Sequence, residues 1–153
     1  AVADQPDLIG VNVGMVFQDF NLFKNMTVLE NLVYASNGML SENIQKLCQE
    51  LRISPLFKRH PHELSKGQQQ KVAIIRSMCI QTDVLLLDEP FSALDDDSIL
   101  ELIEVINKLL TELAPIVILV THRRDVIHNM ATSVIMMNSK EQGKPENLLE
   151  KAF

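Results

Sequence analysis

The chain has 153 residues, of which 46 % are hydrophobic and 22 % charged, a balance that excludes disorder over the whole length and suits one domain with its own core. A net charge of −6 argues against a nucleic-acid backbone as the main partner. Cys48 and Cys79 lie far apart with no CxxC or Cys/His ligand spacing, so they read as reduced, buried thiols and not as a zinc or redox site.

Taken in chain order, Val11 to Phe17 is apolar and β-branched enough for a buried strand and ends at polar Gln18-Asp19. Thr27 with Glu30 three residues on forms a capping box for a helix whose apolar face carries Val28, Leu29, Leu32 and Val33. A second helix is expected from about Ser41 to Leu51, and Pro55 and Pro61 bracket a loop after it. Ser65 and Gln68 cap a third helix, with Val72, Ile75, Met78 and Cys79 at helical spacing.

Val84 to Leu87 is a continuous apolar run into Asp88-Glu89-Pro90 and reads as a strand buried on both faces. Asp95 to Asp97 place three carboxylates where a helix dipole favours them, at the start of a long helix through Leu113 that Pro115 stops. Ile116 to Val120 predicts another fully buried strand, ending at Thr121-His122, and is far short of the ~20 residues of a membrane span. A short strand over Ser133 to Met137 and a helix from about Pro145 close the pattern. No signal-like leader opens the chain, and a start on Ala1 suggests a piece of something longer. Apolar strands alternating with helices indicate a parallel sheet of the α/β class, and the all-helical stretch between the first two strands reads as an inserted subdomain.

Asp88 and Glu89 stand at the carboxyl end of a buried strand, where open α/β sheets place their ligands. Adjacent strand residues face opposite ways, so one carboxylate can hold Mg²⁺ while the other polarises an attacking water. The plain alternative is a strand that leaves into an acidic turn. The helix start at Ser65-Lys66-Gly67-Gln68 offers backbone N–H groups, a hydroxyl and a small residue, as an anion site does, though an ordinary capped helix has the same look. Gln18 and His122 each follow a strand and are weak signals singly. The order of all these features is what points to a phosphate- and ion-handling site.

That ordered set closely resembles the ATP-binding cassette (ABC) ATPases from about Gly10 to Leu149. Val13 to Gln18 is similar to the Q-loop and Glu63 to Ala73 to the signature segment. Leu85 to Pro90 resembles the Walker B strand, Ser92 to Asp95 the D-loop, and Val120 to His122 the switch histidine. Phe17 to Phe23 and Met26 to Asn31 are most similar to importer cassettes for amino acids and related small solutes. The resemblance implies an α/β, P-loop NTPase-type parallel sheet that lacks its Walker A strand, over residues 1–153. The helical subdomain would span about 20–80, and the α/β core 10–19 and 81–153.

It further implies ATP and Mg²⁺ as cofactors. Asp88 would coordinate the metal, Glu89 would be the general base, Gln18 would sense metal and water, and His122 would contact the γ-phosphate. Ser65, Lys66, Gly67 and Gln68 would bind nucleotide held by a second ABC ATPase subunit in a head-to-tail dimer, with Asp95 at that interface. Residues around Phe20 to Val33 would dock on transmembrane permease subunits, placing the protein in the cytoplasm, peripheral on the inner face of the cell membrane.

Four departures qualify the resemblance. None of the five glycines stands in a G-x-x-x-x-G-K-[ST] phosphate loop, so the chain alone is expected to lack ATPase activity. Lys66 replaces a glycine, and a positive φ there would be strained. Arg123-Arg124 after the switch histidine reads as a solvated pair, and the segment near Asn138 to Gly143 is shortened. A degenerate, non-hydrolysing cassette that completes a partner's site is the alternative. A chromosome-maintenance ATPase is disfavoured, because Gln18 lies too near the signature and heptads are absent.

Overall fold

The computed structural model describes residues 10–17, 19–80, 82–113 and 116–135. Three short runs rich in Val, Ile and Leu form the strands β1 (Val13–Val16), β2 (Val84–Asp88) and β3 (Ile116–Val120). They pair in parallel in the order β1-β2-β3, with Val13 opposite Val84 and Val84 opposite Ile116. The α/β class with a parallel sheet is therefore as expected. This register brings the carboxyl ends of β2 and β3 side by side, with Asp88 opposite Val120.

Between β1 and β2 lie three helices: α1 (Val28–Ala35), α2 (Glu42–Glu50) and α3 (Lys66–Met78). Thr27 caps α1 and Ser65 caps α3, both through complete capping boxes, and the Ser41 hydroxyl accepts from Ile44 N–H at the head of α2. α4 (Asp96–Leu113) follows β2, and α5 (Arg124–Met130) follows β3. The sequence reading missed α5. It is only seven residues long and buries Val126 alone, too short a repeat to register as periodic.

Alternate residues of the sheet, Val16 on β1 with Leu85 and Leu87 on β2, join Leu32, Cys48, Val72, Ile75, Ile99, Leu102 and Ile106 in one hydrophobic core. Gly14 sits in the same row because a Cβ there would come within 2.8 Å of Thr82 Cγ2 and 3.2 Å of the Ser77 carbonyl, so the end of α3 closes directly onto β1. The opposite face corrects the expectation of strands buried on both sides. Val13, Met15, Ile116, Ile118 and Val120 are all exposed, Ile116 at 66 %. Among the described residues, the core forms on one face only, so side chains of the other pleat meet solvent.

The expected strand at Ser133 to Met137 is also corrected in its described part. Ser133 to Ile135 form no regular structure, as β3 has no described neighbour on its free edge to supply ladder bonds. Met136 and Met137, Asn138 to Gly143, the helix expected from Pro145, Pro115 and Gln18 lie outside the described residues. No described helix is long and apolar enough to cross a membrane.

The loop between β1 and α1 is held by two polar side chains. Asn31, fully buried on α1, donates to the carbonyls of Phe23, Met26 and Thr27 and accepts from Phe23 N–H. Arg76 of α3 donates to the Asn21 carbonyl at 2.7 Å and the Phe20 carbonyl at 3.3 Å, and lies 5.4 Å over the Phe23 ring. These ties compensate for positive φ at both Phe20 and Asn21.

Candidate functional site

The end of β2 holds two adjacent carboxylates. Asp88 is its last residue, and Glu89 turns the chain sharply at φ 45° in a conformation that side-chain-bearing residues seldom adopt. That turn aims the Glu89 carboxylate across at the end of β3. Its Oε1 lies 2.7 Å from His122 Nδ1 and accepts the His122 backbone N–H at 3.0 Å. Thr121 donates its hydroxyl to Oε2 at 3.3 Å. Glu89 N–H in turn donates to the Val120 carbonyl at 2.9 Å, extending the strand pairing by one residue.

Adjacency of β2 and β3 is thus what joins two residues 33 apart into a carboxylate–imidazole pair. The His122 side chain is 82 % exposed and the Glu89 side chain 21 %, so the pair opens to solvent on the imidazole side. The arrangement is a carboxylate and an imidazole within hydrogen-bond distance at the edge of a wet surface, the geometry that proton transfer requires.

A second cluster forms around the start of α3. Ser65, Lys66, Gly67 and Gln68 line one groove with Lys71 and Asp95, and Arg52 also lines it. The capping box takes up the N–H groups of Ser65 and Gln68. Those of Lys66 and Gly67, in the first helical turn, have no place in the helix ladder. Gly67 packs closely on the turn: a Cβ there would stand 3.0 Å from Leu94 Cδ2 and 3.5 Å from the Ala93 carbonyl. Lys66 corrects the expectation of strain. As first residue of α3 it has an ordinary helical backbone and is absent from the positive-φ positions, so lysine fits where glycine was expected.

Asp95 caps α4, accepting Ser98 N–H and Ser98 Oγ, both at 2.9 Å. Those bonds, with the Ser98 N–H foremost, hold its carboxyl below the usual range. Arg123 is likewise corrected. It is no free surface cation but bridges Asp125 and Asp96, each at 2.7 Å, and the Asp125 contact foremost raises its pKa. The residue thereby ties the turn after β3 to the head of α4. Sequence reasoning gave no role to Thr121, Gln70 or Arg123, because each acts through a contact with a distant segment.

Among the described residues no group of three or more His, Cys, Asp or Glu could hold a metal ion by itself. Asp88 alone is a fitting donor for magnesium, which takes one or two carboxylates and completes its shell with phosphate oxygens and water. The donor set therefore suits an ion that arrives with a nucleotide.

The model of a family described as "ABC transporter" matches residues 3–92, more than half of the chain. The chain belongs to the ABC transporter family. Its relatives agree: it is 41 % identical over 140 residues to an arginine transport ATP-binding protein of Haemophilus influenzae, covering 87 % of this chain and 56 % of that protein. An arginine transport ATP-binding protein of Bacillus subtilis is 37 % identical, covering 88 % and 60 % respectively. A sulfate/thiosulfate import ATP-binding protein of Shewanella oneidensis is 34 % identical, covering 90 % and 43 %. The chain thus spans about half the length of the curated relatives it matches. Among solved structures, a dimeric bacterial ABC transporter cassette superposes with TM-score 0.68 at 29 % identity, covering 78 % of this chain and 56 % of that one. The same cassette in a post-hydrolysis state bound to ADP and Pi gives 0.66. The fold is accordingly that of the ABC ATPase cassettes, and these relatives are described as serving arginine transport and sulfate/thiosulfate import.

Proposed function

We propose that this chain is the signature- and Walker-B-bearing part of an ATP-hydrolysing importer subunit, whose substrate is an amino acid or a similar small polar solute. The observation that carries the reading is the 2.7 Å contact between Glu89 and His122 at the joined ends of β2 and β3, beside Asp88. In this reading Glu89 takes the proton of an attacking water, and His122 reaches toward the reacting phosphate through its exposed imidazole. Asp88 holds Mg²⁺, and Gln18 completes the water-side contacts. Mg-ATP, when bound, supplies the phosphoryl group and the counter-charge for its transfer.

The groove at Ser65, Lys66, Gly67 and Gln68 serves a different nucleotide, one held by a second cassette, with Asp95 near the contact between the two. Its free helix-start N–H groups favour a phosphate. Residues 20–80 act as the helical subdomain. On it Phe23 and Tyr34, packed edge to face at 5.2 Å, and Met39 are exposed together with Leu29, an apolar set suited to a permease surface. The solute assignment rests on the arginine relatives and goes no further than that class. Such a protein works on the inner face of a membrane without crossing it.

The test is a chimera in which the phosphate-loop half of the Haemophilus influenzae arginine relative precedes this chain. Mg-dependent phosphate release is expected from the chimera, abolished by Glu89→Gln, and none from the chain alone. A folded chimera that binds ATP and turns over equally well with Glu89→Gln would remove the assignment.

A further inference from the structure

Gln70 is 1 % exposed, one of three buried polar residues among those described. It lies on α3, one turn past the Ser65 cap, and its side chain leaves the helix altogether. Oε1 accepts the Ala93 N–H at 2.9 Å, and Nε2 donates to the Glu89 carbonyl at 3.4 Å, the long end of the hydrogen-bond range. The Glu89 carbonyl also accepts from Ser92 N–H at 3.3 Å. One planar amide therefore spans the turn from Glu89 to Ala93, offering its acceptor and its donor where a neighbouring backbone would.

The turn needs such a partner. Glu89 is held at φ 45°, and a conformation of that kind persists only where surrounding structure over-determines it. From that backbone its carboxylate faces His122 and Thr121. The same helix touches the same turn a second time, where Gly67 lies against Ala93 and Leu94. Two contacts, three residues apart on α3, thus hold the turn: Gln70 at both its ends and Gly67 at its Ala93 end.

We propose that Gln70 is a positioning residue for Glu89, the link through which the helix start at Ser65 and Gly67 sets the carboxylate that faces His122. The link itself is structural; its meaning for hydrolysis rests on the assignment of Glu89 as base. Under that assignment, displacement of the start of α3 by a partner's phosphate reaches Glu89 through Gln70, so that the surface offered to one nucleotide tunes the base used on another.

The experiment needs no nucleotide, which separates its failure from failure of the ATPase reading. In the ¹⁵N-labelled chain, the His122 ring nitrogens are assigned against the other three histidines with His122→Asn, and the Glu89-dependent shift is defined with Glu89→Ala. Gln70→Met keeps length and burial but removes the amide. It is expected to abolish the Glu89-dependent shift of His122 and leave His60, His62 and His128 unchanged. Gln70→Glu keeps the acceptor for Ala93 N–H, loses the donor, and is expected to reduce that shift in part; it decides the matter should Gln70→Met not fold. Arg76→Gln, which loosens the same helix from Phe20 and Asn21, is expected to leave His122 unmoved. Folded Gln70 variants with the native His122 signature overturn the proposal, as does an equal response to Arg76→Gln.

Discussion

Oε1 of Glu89 accepts two contacts from one residue, the ring Nδ1 of His122 at 2.7 Å and its backbone N–H at 3.0 Å. The carboxylate is thus aligned on the end of β3 by a strained backbone. Strain and contact can be separated by substitution. Glu89→Ala and Glu89→Gly both lose the contacts to Thr121 and His122, but only glycine is at ease at φ 45°. Glu89→Gly is expected to be more stable than Glu89→Ala by about 1 kcal/mol, read from urea midpoints at unchanged slope. Equal midpoints would mean that the turn carries no backbone strain.

Gly67 lies where the head of α3 meets the turn before Asp95. Alanine there gains helix propensity and meets the movable end of Leu94, so Gly67→Ala is expected to fall within about 1 kcal/mol of the native chain. Gly67→Val adds branches toward the fixed Ala93 carbonyl and is expected to destabilise by about 1–3 kcal/mol. Thermal melts of the two variants distinguish close packing from mere permissiveness.

The open face of the sheet is a liability. Val13 and Met15 on β1 and Ile116, Ile118 and Val120 on β3 lie on one face of the sheet, on either side of β2, and are exposed. The chain alone is expected to self-associate, and Ile118→Lys is expected to shift it toward monomer in light scattering without loss of helical signal. A native chain that stays monomeric at high micromolar concentration would remove this expectation.

Burial pushes the Cys48 thiol from its ordinary 9.0 up to about 11, and the Cys79 thiol to about 12, where Cys48 adds to the effect. The folded state therefore keeps protons that the unfolded state gives up. Stability from these groups is complete below pH 9 and is lost as pH rises toward 11 and 12. Unfolding midpoints followed from pH 8 to pH 11 are expected to decline, less steeply in Cys48→Ala than in the native chain. Both thiols are expected to resist a thiol reagent at pH 8 until denaturant is added.

Replacing Leu102, fully buried on α4, by alanine is expected to cost about 2–5 kcal/mol, a large share of a small domain's stability. Urea unfolding followed by circular dichroism would report it as a lowered midpoint.

Local features were legible in the sequence because their causes are local. The Thr27–Glu30 and Ser65–Gln68 capping boxes are bonds between residues three apart, and both form as read. Strands β2 and β3 announced themselves by uninterrupted apolar runs, and Asp95 by its place before a helix. α5 and the irregular Ser133 to Ile135 were misread because short segments carry too few residues for periodicity to decide.

What the chain order determined by itself was the set of chemical groups and the family they belong to: Asp88 and Glu89 after one strand, His122 after another, Ser65 and Gly67 at a helix head. Only the tertiary structure decided which of them meet. Parallel pairing of β2 with β3 joins Glu89 to His122 across 33 positions, the packing of α3 on the Glu89–Ala93 turn makes Gln70 a partner of the carboxylate, and a core on one side of the sheet leaves the other pleat in water. Each of these is a contact between segments distant in sequence, and no local propensity encodes such a contact, because its energy exists only once the chain has closed the loops between them.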